Sequence, residues 1–354
     1  MRCREELDGT RLPRTTPPAR VPRRPLPDSR FPTPAHHLPS PAPWQGTALR
    51  TISMSSSPGF ISSVDDWFLV AEPKLATTDS HNARHTVLSV IETSLEIQDQ
   101  SAYKATKVRS VLCWIRAMVA NQLATDAPGW AHTFALQASG TYNNQWMVLD
   151  VLKAQRATAA ATPLPQNTFW VIEEVPGLVH AQDQSEHLNT HGFWSSFNEI
   201  YYEVTRKIAG DSDSYSESLR FKIFAELQGG VNSGSQFARL ITWNDYQHDS
   251  ISQSPMEAIM ARGDLEKGEY SLAGGGIDAK YATVTGAASG LVSHARAGPT
   301  NDDQPPFCWT PEFASTPHVG HPQCFDNKWG MFAPLSVEGL LERRTPHRGG
   351  GDTP

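Results

Sequence analysis

Between Lys107 and Leu123 the apolar residues fall at Val108, Val111, Leu112, Ile115, Met118, Val119 and Leu123, a spacing that predicts a helix over 107–123. Strand patterns flank it. Asp65-Asp66-Trp67-Phe68-Leu69-Val70 reads as a turn leading into a strand, and Trp146–Val151 and Phe169–Val175 are apolar runs of strand length. Pro176-Gly177 is tight-turn chemistry, so Phe169–Val175 and Leu178–Ala181 are expected to pair as a hairpin. From Asn244 onward turns dominate, punctuated by Gly274-Gly275-Gly276 and Gly298-Pro299.

The ends lose this texture. Residues 1–50 hold 11 of the 27 prolines and nine arginines with almost no apolar period, so a disordered leader is expected there. Its proline runs could serve as a polyproline ligand, but an unstructured leader is the simpler reading. It lacks the apolar stretch of about 7–15 residues that a signal peptide requires. Residues 335–354, with Arg343-Arg344-Thr345-Pro346 and Arg348-Gly349-Gly350-Gly351, are expected to be a disordered tail. One globular domain is expected over 51–334.

Charge and composition narrow the function classes. A net charge of −7 without a basic, aromatic-interleaved stripe argues against nucleic acid as a partner. No apolar run reaches the length of a membrane span. The four cysteines, Cys3, Cys113, Cys308 and Cys324, include no C-x-x-C pair. Cys113 reads as a packed thiol, and Cys308 and Cys324, 16 residues apart, could pair in an oxidising compartment. There is no Gly-x-Ser-x-Gly elbow, Walker loop or dinucleotide fingerprint, and no cofactor is expected. His318 and His321 are three apart, but Pro317, Gly320 and Pro322 deny them a helix, so no metal site is expected. His180, His187 and His191 read as surface residues, and Asp211-Ser212-Asp213-Ser214 as a solvated turn. Arg262-Gly263-Asp264 could be an adhesion tripeptide, but turn chemistry accounts for it equally well.

The densest polar segment is Ser139-Gly140-Thr141-Tyr142-Asn143-Asn144-Gln145-Trp146. Two amides, a glutamine and three hydroxyls leading into Met147-Val148-Leu149 are costly to bury unless a defined network satisfies them. This segment resembles a signature of the phospholipase B-like proteins. The likeness continues, in the family's order, through Ser56–Phe60, Asp65–Trp67, Arg109–Arg116, Ala120–Ala124 and Thr168–Val179. It goes on through Gly192–Asn198, Ser218–Phe224, Asn244–Tyr246, Ala261–Leu265, Gly275–Lys280, Ala297–Thr300 and His318–Pro322.

The resemblance implies an α+β fold, the αββα sandwich of N-terminal-nucleophile hydrolases, located in the lysosome or outside the cell. It implies a cysteine nucleophile exposed by self-cleavage, with an asparagine and an arginine completing the site. In the matching blocks these are Asn198 and Arg220, with Asn144 a third candidate as donor or anchor. Phospholipid is the substrate class the family name implies, and amides suit the same architecture. Without the resemblance, Asn198 would read as a cap for the segment beginning at Glu199, and Arg220 as a surface residue. Two departures shape the expectation. None of the four cysteines occupies the nucleophile's place, so the sandwich is expected to be incomplete, its N-terminal strands missing. No Asn-x-Ser/Thr sequon is present. A non-catalytic remnant binding lipid or a partner subunit is the rival reading, and an unrelated binding module a third.

Overall fold

The computed structural model describes residues 50–56, 60–63, 65–72, 86–212, 215–252 and 254–334. The expected disordered leader, with Cys3, and the expected tail at 335–354 lie outside the described residues, apart from Arg50.

In chain order the elements are β1 Thr51–Met54, β2 Trp67–Ala71, β3 Val87–Ser94, α1 Cys113–Leu123, α2 Ala127–Ala135, β4 Asn144–Asp150 and α3 Val151–Ala160. The hairpin β5 Phe169–Val175 and β6 Leu178–Asp183 follows, then α4 Ser185–His191, α5 Glu203–Ala209, α6 Leu219–Leu227 and α7 Gly234–Ile241. β7 Asp278–Tyr281, α8 Val284–Gly290, β8 Ser293–Ala297 and β9 Gly330–Phe332 complete the order. Strands β1 to β6 form one antiparallel sheet in sequence order, and β7-β8-β9 a second. The α+β class read from the sequence is therefore the observed one.

Period-two alternation sorts the large sheet into two faces. Phe68, Val70, Leu88, Val90, Trp146, Val148 and Ile172 point toward α1 and α2, where Ala117, Ala120, Trp130 and Phe134 complete the main core. Trp130, Phe134 and Trp146 touch ring to ring at 5.0–5.3 Å. This bulk fixes which side of α1 turns inward, since only small residues fit against it. The helix begins at Cys113, six residues later than the spacing predicts. Val111 is held in extended backbone, its N–H bonded to the Gln137 carbonyl at 2.8 Å, and Val108 lies in solvent. Cys113, Arg116, Ala117, Ala120 and Asn121 are buried, whereas Leu112, Val119 and Leu123 are exposed.

The hairpin is as expected, with Gly177 at φ +83° in its turn. The strand read as Trp146–Val151 begins two residues earlier, and Val151 already belongs to α3. Asp150 ends it by accepting from the Lys153 N–H as a helix cap. Cys308 and Cys324 are paired as a disulfide. Arg262 of the Arg-Gly-Asp tripeptide is buried, bound to both Asp264 oxygens and to the Thr300 and Pro305 carbonyls. That makes it a structural arginine and takes the adhesion reading away.

Candidate active site

At one end of β3, β4 and β5 the polar residues of the sheet gather, and the two faces use them differently. On the face toward α1, Asn144 is fully buried. Its Nδ2 donates to Glu92 Oε1 at 2.7 Å, and its Oδ1 accepts from the Cys113 thiol at 3.6 Å. Tyr142 OH donates to the same Glu92 oxygen at 2.8 Å. Gly140, at φ +67°, donates its N–H to Glu174 Oε1 at 2.9 Å; a Cβ there would meet Pro176 Cα at 2.9 Å. On the opposite face Gln145 Nε2 donates to Glu173 Oε1 at 2.8 Å, while its Oε1 accepts from the Trp194 indole at 3.2 Å. Glu173 is fully buried and also accepts from the Tyr201 and Tyr202 N–H groups and from the Thr205 hydroxyl. The signature segment thus forms most of the network its composition calls for, with Asn143 Oδ1 and the Trp146 indole N–H buried outside it.

Burial sets the protonation of these groups. Lack of water pushes Asp66 up to about 6, with nearby Asp65 adding to the shift and hydrogen bonding with Glu92 opposing it. Glu92 is raised well above the carboxylate range by burial and by the Asp66 charge. Burial, then Glu174, pushes the Cys113 thiol up. The thiol is packed in the core between Asn144 and the neighbouring residues of α1. Among the described residues it is the free cysteine, and the packed-thiol reading holds.

Asn198 and Arg220 come together elsewhere, in a cavity of about 570 Å³ lined also by Glu96, Phe197, Glu199 and Glu257. Asn198 stands in the left-handed region at φ +77°, which asparagine tolerates better than most residues. It does not cap a helix: the next one, α5, starts at Glu203. Its Nδ2 donates to the Ser94 carbonyl at 2.8 Å, and its Oδ1 faces Arg220 Nη1 at 3.4 Å. Arg220 Nη2 donates to the Met256 carbonyl at 2.9 Å. Loss of water lowers the guanidinium pKa, opposed by Glu199 and Glu257, so Arg220 is partly enclosed and not a plain surface residue. Asn144 does not line this cavity. Ser94, its register partner across β3 and β4, is the residue whose carbonyl Asn198 holds.

Beside that cavity the sheet's second face is largely apolar and incompletely covered, with Asp65, Asp66, Glu92, Asp278 and Lys280 at the rim of the larger opening. Ile91, Met147 and Trp194 floor two adjoining cavities of about 560 and 340 Å³. Leu149 and Tyr281 line the larger, Phe193 and Phe224 the smaller, and Phe237 and Ile241 both. The smaller one reaches Thr93, Ser195 and Ser196, the chain neighbours of Ser94 and Phe197-Asn198. An apolar trough therefore leads toward the Asn198–Arg220 pair.

The sequence reading did not single out Glu92, Glu217 or Glu257 as site residues. Glu92 carried a signal, a carboxylate directly following the largely apolar run Val87–Ile91, whereas Glu217, in a short 3-10 helix, and Glu257, in a turn, carried none.

The fold and the site together define an α+β protein with an amide–guanidinium pair beside a largely apolar trough. The family model described as Phospholipase B matches residues 43–332. The chain is 35% identical to phospholipase B-like protein G of Dictyostelium discoideum over 303 residues, 80% of this chain and 48% of that protein. It is 32% identical to the putative phospholipase B-like 2 of Mus musculus over 311 residues, 80% of this chain and 48% of that one. The chain belongs to the phospholipase B family. It spans about half the length of the curated relatives it matches.

Proposed function

We propose that this chain carries the acyl-bond pocket of a phospholipase B-like hydrolase, with Asn198 and Arg220 as its polar working groups. The carrying observation is their meeting in one cavity beside the apolar trough, with few internal bonds on either. An amide has two N–H donors, and Asn198 commits one to Ser94, leaving the other for a developing oxyanion. The Arg220 guanidinium has donors beyond those facing Asn198 and Met256, and can hold or orient a carbonyl or phosphoryl oxygen. The trough, in the size range of small-ligand pockets and lined by aromatic and aliphatic side chains, takes the acyl chain. Asn144 acts behind the pocket as an anchor for the β3–β4 end. The reading invokes no cofactor. It places the described sheets in a four-layer αββα sandwich, and the Cys308–Cys324 disulfide supports a lysosomal or extracellular location.

A second reading, an acyl-binding chain without turnover, is favoured by the buried, protonated state of Cys113. Fatty-acid release from a fluorogenic phospholipid and from an N-acyl amide separates the two. Binding with no release, weakened roughly tenfold or more by Arg220→Ala, supports the second reading for this chain. Release that Arg220→Ala abolishes supports hydrolysis. Binding and release indifferent to Arg220 would remove the pocket assignment altogether.

A further inference from the structure

α1 is apolar on both of its sides. Inward, Ala117 and Ala120 meet the aromatic rings of the core; outward runs a second row, Leu112, Ile115, Val119 and Leu123, at the spacing of one helix face. Leu112, Val119 and Leu123 are 52%, 42% and 51% exposed, and Val108, ahead of the helix, lies wholly in solvent. Leu136 extends this surface. It is exposed and precedes Gln137, whose carbonyl accepts from the Val111 N–H beside Leu112. A helix that is apolar all round ordinarily has something packed on every side. Among the described residues nothing covers the outward row of α1.

The charges at its edge decide what fits there. Neither α1 nor α2 contains a carboxylate, and Asp126, before α2, is held as that helix's cap. Lys107 and Arg109, on either side of Val108, are exposed, and neither side chain has an ion-pair partner among the described residues. Other cations nearby are answered: Lys104 by Asp99, and Arg50, at the far end of α1, by Glu72. In a chain of net charge −7 this leaves a local surplus of cation beside exposed apolar side chains. A second copy would bring no carboxylate of α1 or α2 to meet Lys107 and Arg109, whereas an anionic lipid surface supplies the counter-charge. We infer that the outward face of α1 docks on such a surface. Lys107 and Arg109 meet the headgroups, while Val108, Leu112, Val119 and Leu123 enter the boundary beneath them. The trough lies on the opposite face of the sheet, so docking leaves it open, and the inference stands independently of the acyl-pocket reading.

The test is flotation of the full chain with two kinds of vesicle, phosphatidylcholine alone and an equal mixture of phosphatidylcholine and phosphatidylserine. At low salt the mixed vesicles should bind roughly tenfold or more tighter, with a gap that narrows as salt rises. Lys107→Glu/Arg109→Glu should remove most of that gap. Val119→Ser/Leu123→Ser, at two exposed positions, should leave urea unfolding nearly unchanged and weaken binding to both vesicles. Equal affinity for the two vesicles, or binding to neither, overturns the inference. So does binding that either double variant leaves unchanged; attachment through the nine arginines of residues 1–50 would give that result for both. A dimer in sedimentation that Val119→Ser/Leu123→Ser splits would assign the face to a second copy and overturn it too.

Discussion

Two arginines lie near the same end of the six-stranded sheet, and the chain treats them in opposite ways. Arg116 on α1 is buried with every direction of its guanidinium occupied. It reaches both Glu174 oxygens at 2.5–2.6 Å, the Val111 and Phe134 carbonyls, and the Phe134 ring face at 4.3 Å. Arg220 on α6 touches Asn198 at 3.4 Å and one carbonyl at 2.9 Å, and opens on a cavity. A saturated arginine holds the fold, and one with donors to spare can meet a ligand. The same division separates the amides. Asn144 is enclosed by Glu92 and Cys113, while Asn198 sits exposed in a left-handed turn.

The largest effect should come from breaking the closed member. Arg116→Leu leaves Glu174 buried without its partner and should cost about 3–5 kcal/mol in urea unfolding. Arg116→Leu/Glu174→Gln should recover much of it, since the orphaned charge is gone and the new amide oxygen can still accept from the Gly140 N–H. A single-variant cost below about 1 kcal/mol would erase the contrast between the two arginines.

Next in size is the pH response of the buried carboxyl pair Asp66 and Glu92, which borders both Asn144 and the trough. Asp66 titrates at about 6 in the folded chain, against an ordinary value of 3.8. Below pH 4 both folded and unfolded chains carry the proton. Between about 4 and 6 the unfolded chain releases it first, so this contribution to stability is lost as pH rises. The loss is on the order of 3 kcal/mol, and Asp66→Asn should flatten that part of the stability–pH curve. Stability rising through the same window because of Asp66 would contradict the burial argument.

The smallest effect on stability belongs to the open member. Arg220→Ala should change unfolding by within about 1 kcal/mol, because two hydrogen bonds at a partly exposed site are lost. It should nevertheless weaken binding of an acyl amide roughly tenfold or more. A large loss of stability would move Arg220 into the structural class with Arg116.

The hairpin β5–β6 was legible because its turn and its apolar runs agree. So was the network character of Ser139–Trp146, since so many donors in one strand leave few alternatives to a closed hydrogen-bonded arrangement. The start of α1 was misread for a physical reason. Its apolar spacing describes the exposed Leu112, Val119 and Leu123, while its buried side is alanine, Cys113, Arg116 and Asn121, selected by aromatic rings that come from α2 and β4. β3, the strand to which both Asn144 and Asn198 are tied, was overlooked. Val87–Ser94 is apolar on both faces at one end and polar at the other, so neither strand pattern is clean. The Asn198–Arg220 pair was reached only through resemblance: 22 residues separate them, and their meeting depends on α5 and the turns around it.

Hydrogen exchange of the full chain with and without saturating N-octanoyl-N-methylglucamine, a neutral acyl amide, tests the open-site assignment most directly. Protection should appear at 193–198 and 219–224 and along the β3 end near Ser94, with 111–116 and 139–144 unchanged. Protection confined to α1, where Leu112, Val119 and Leu123 are exposed, would place the acyl chain on the other face of the sheet and contradict the account.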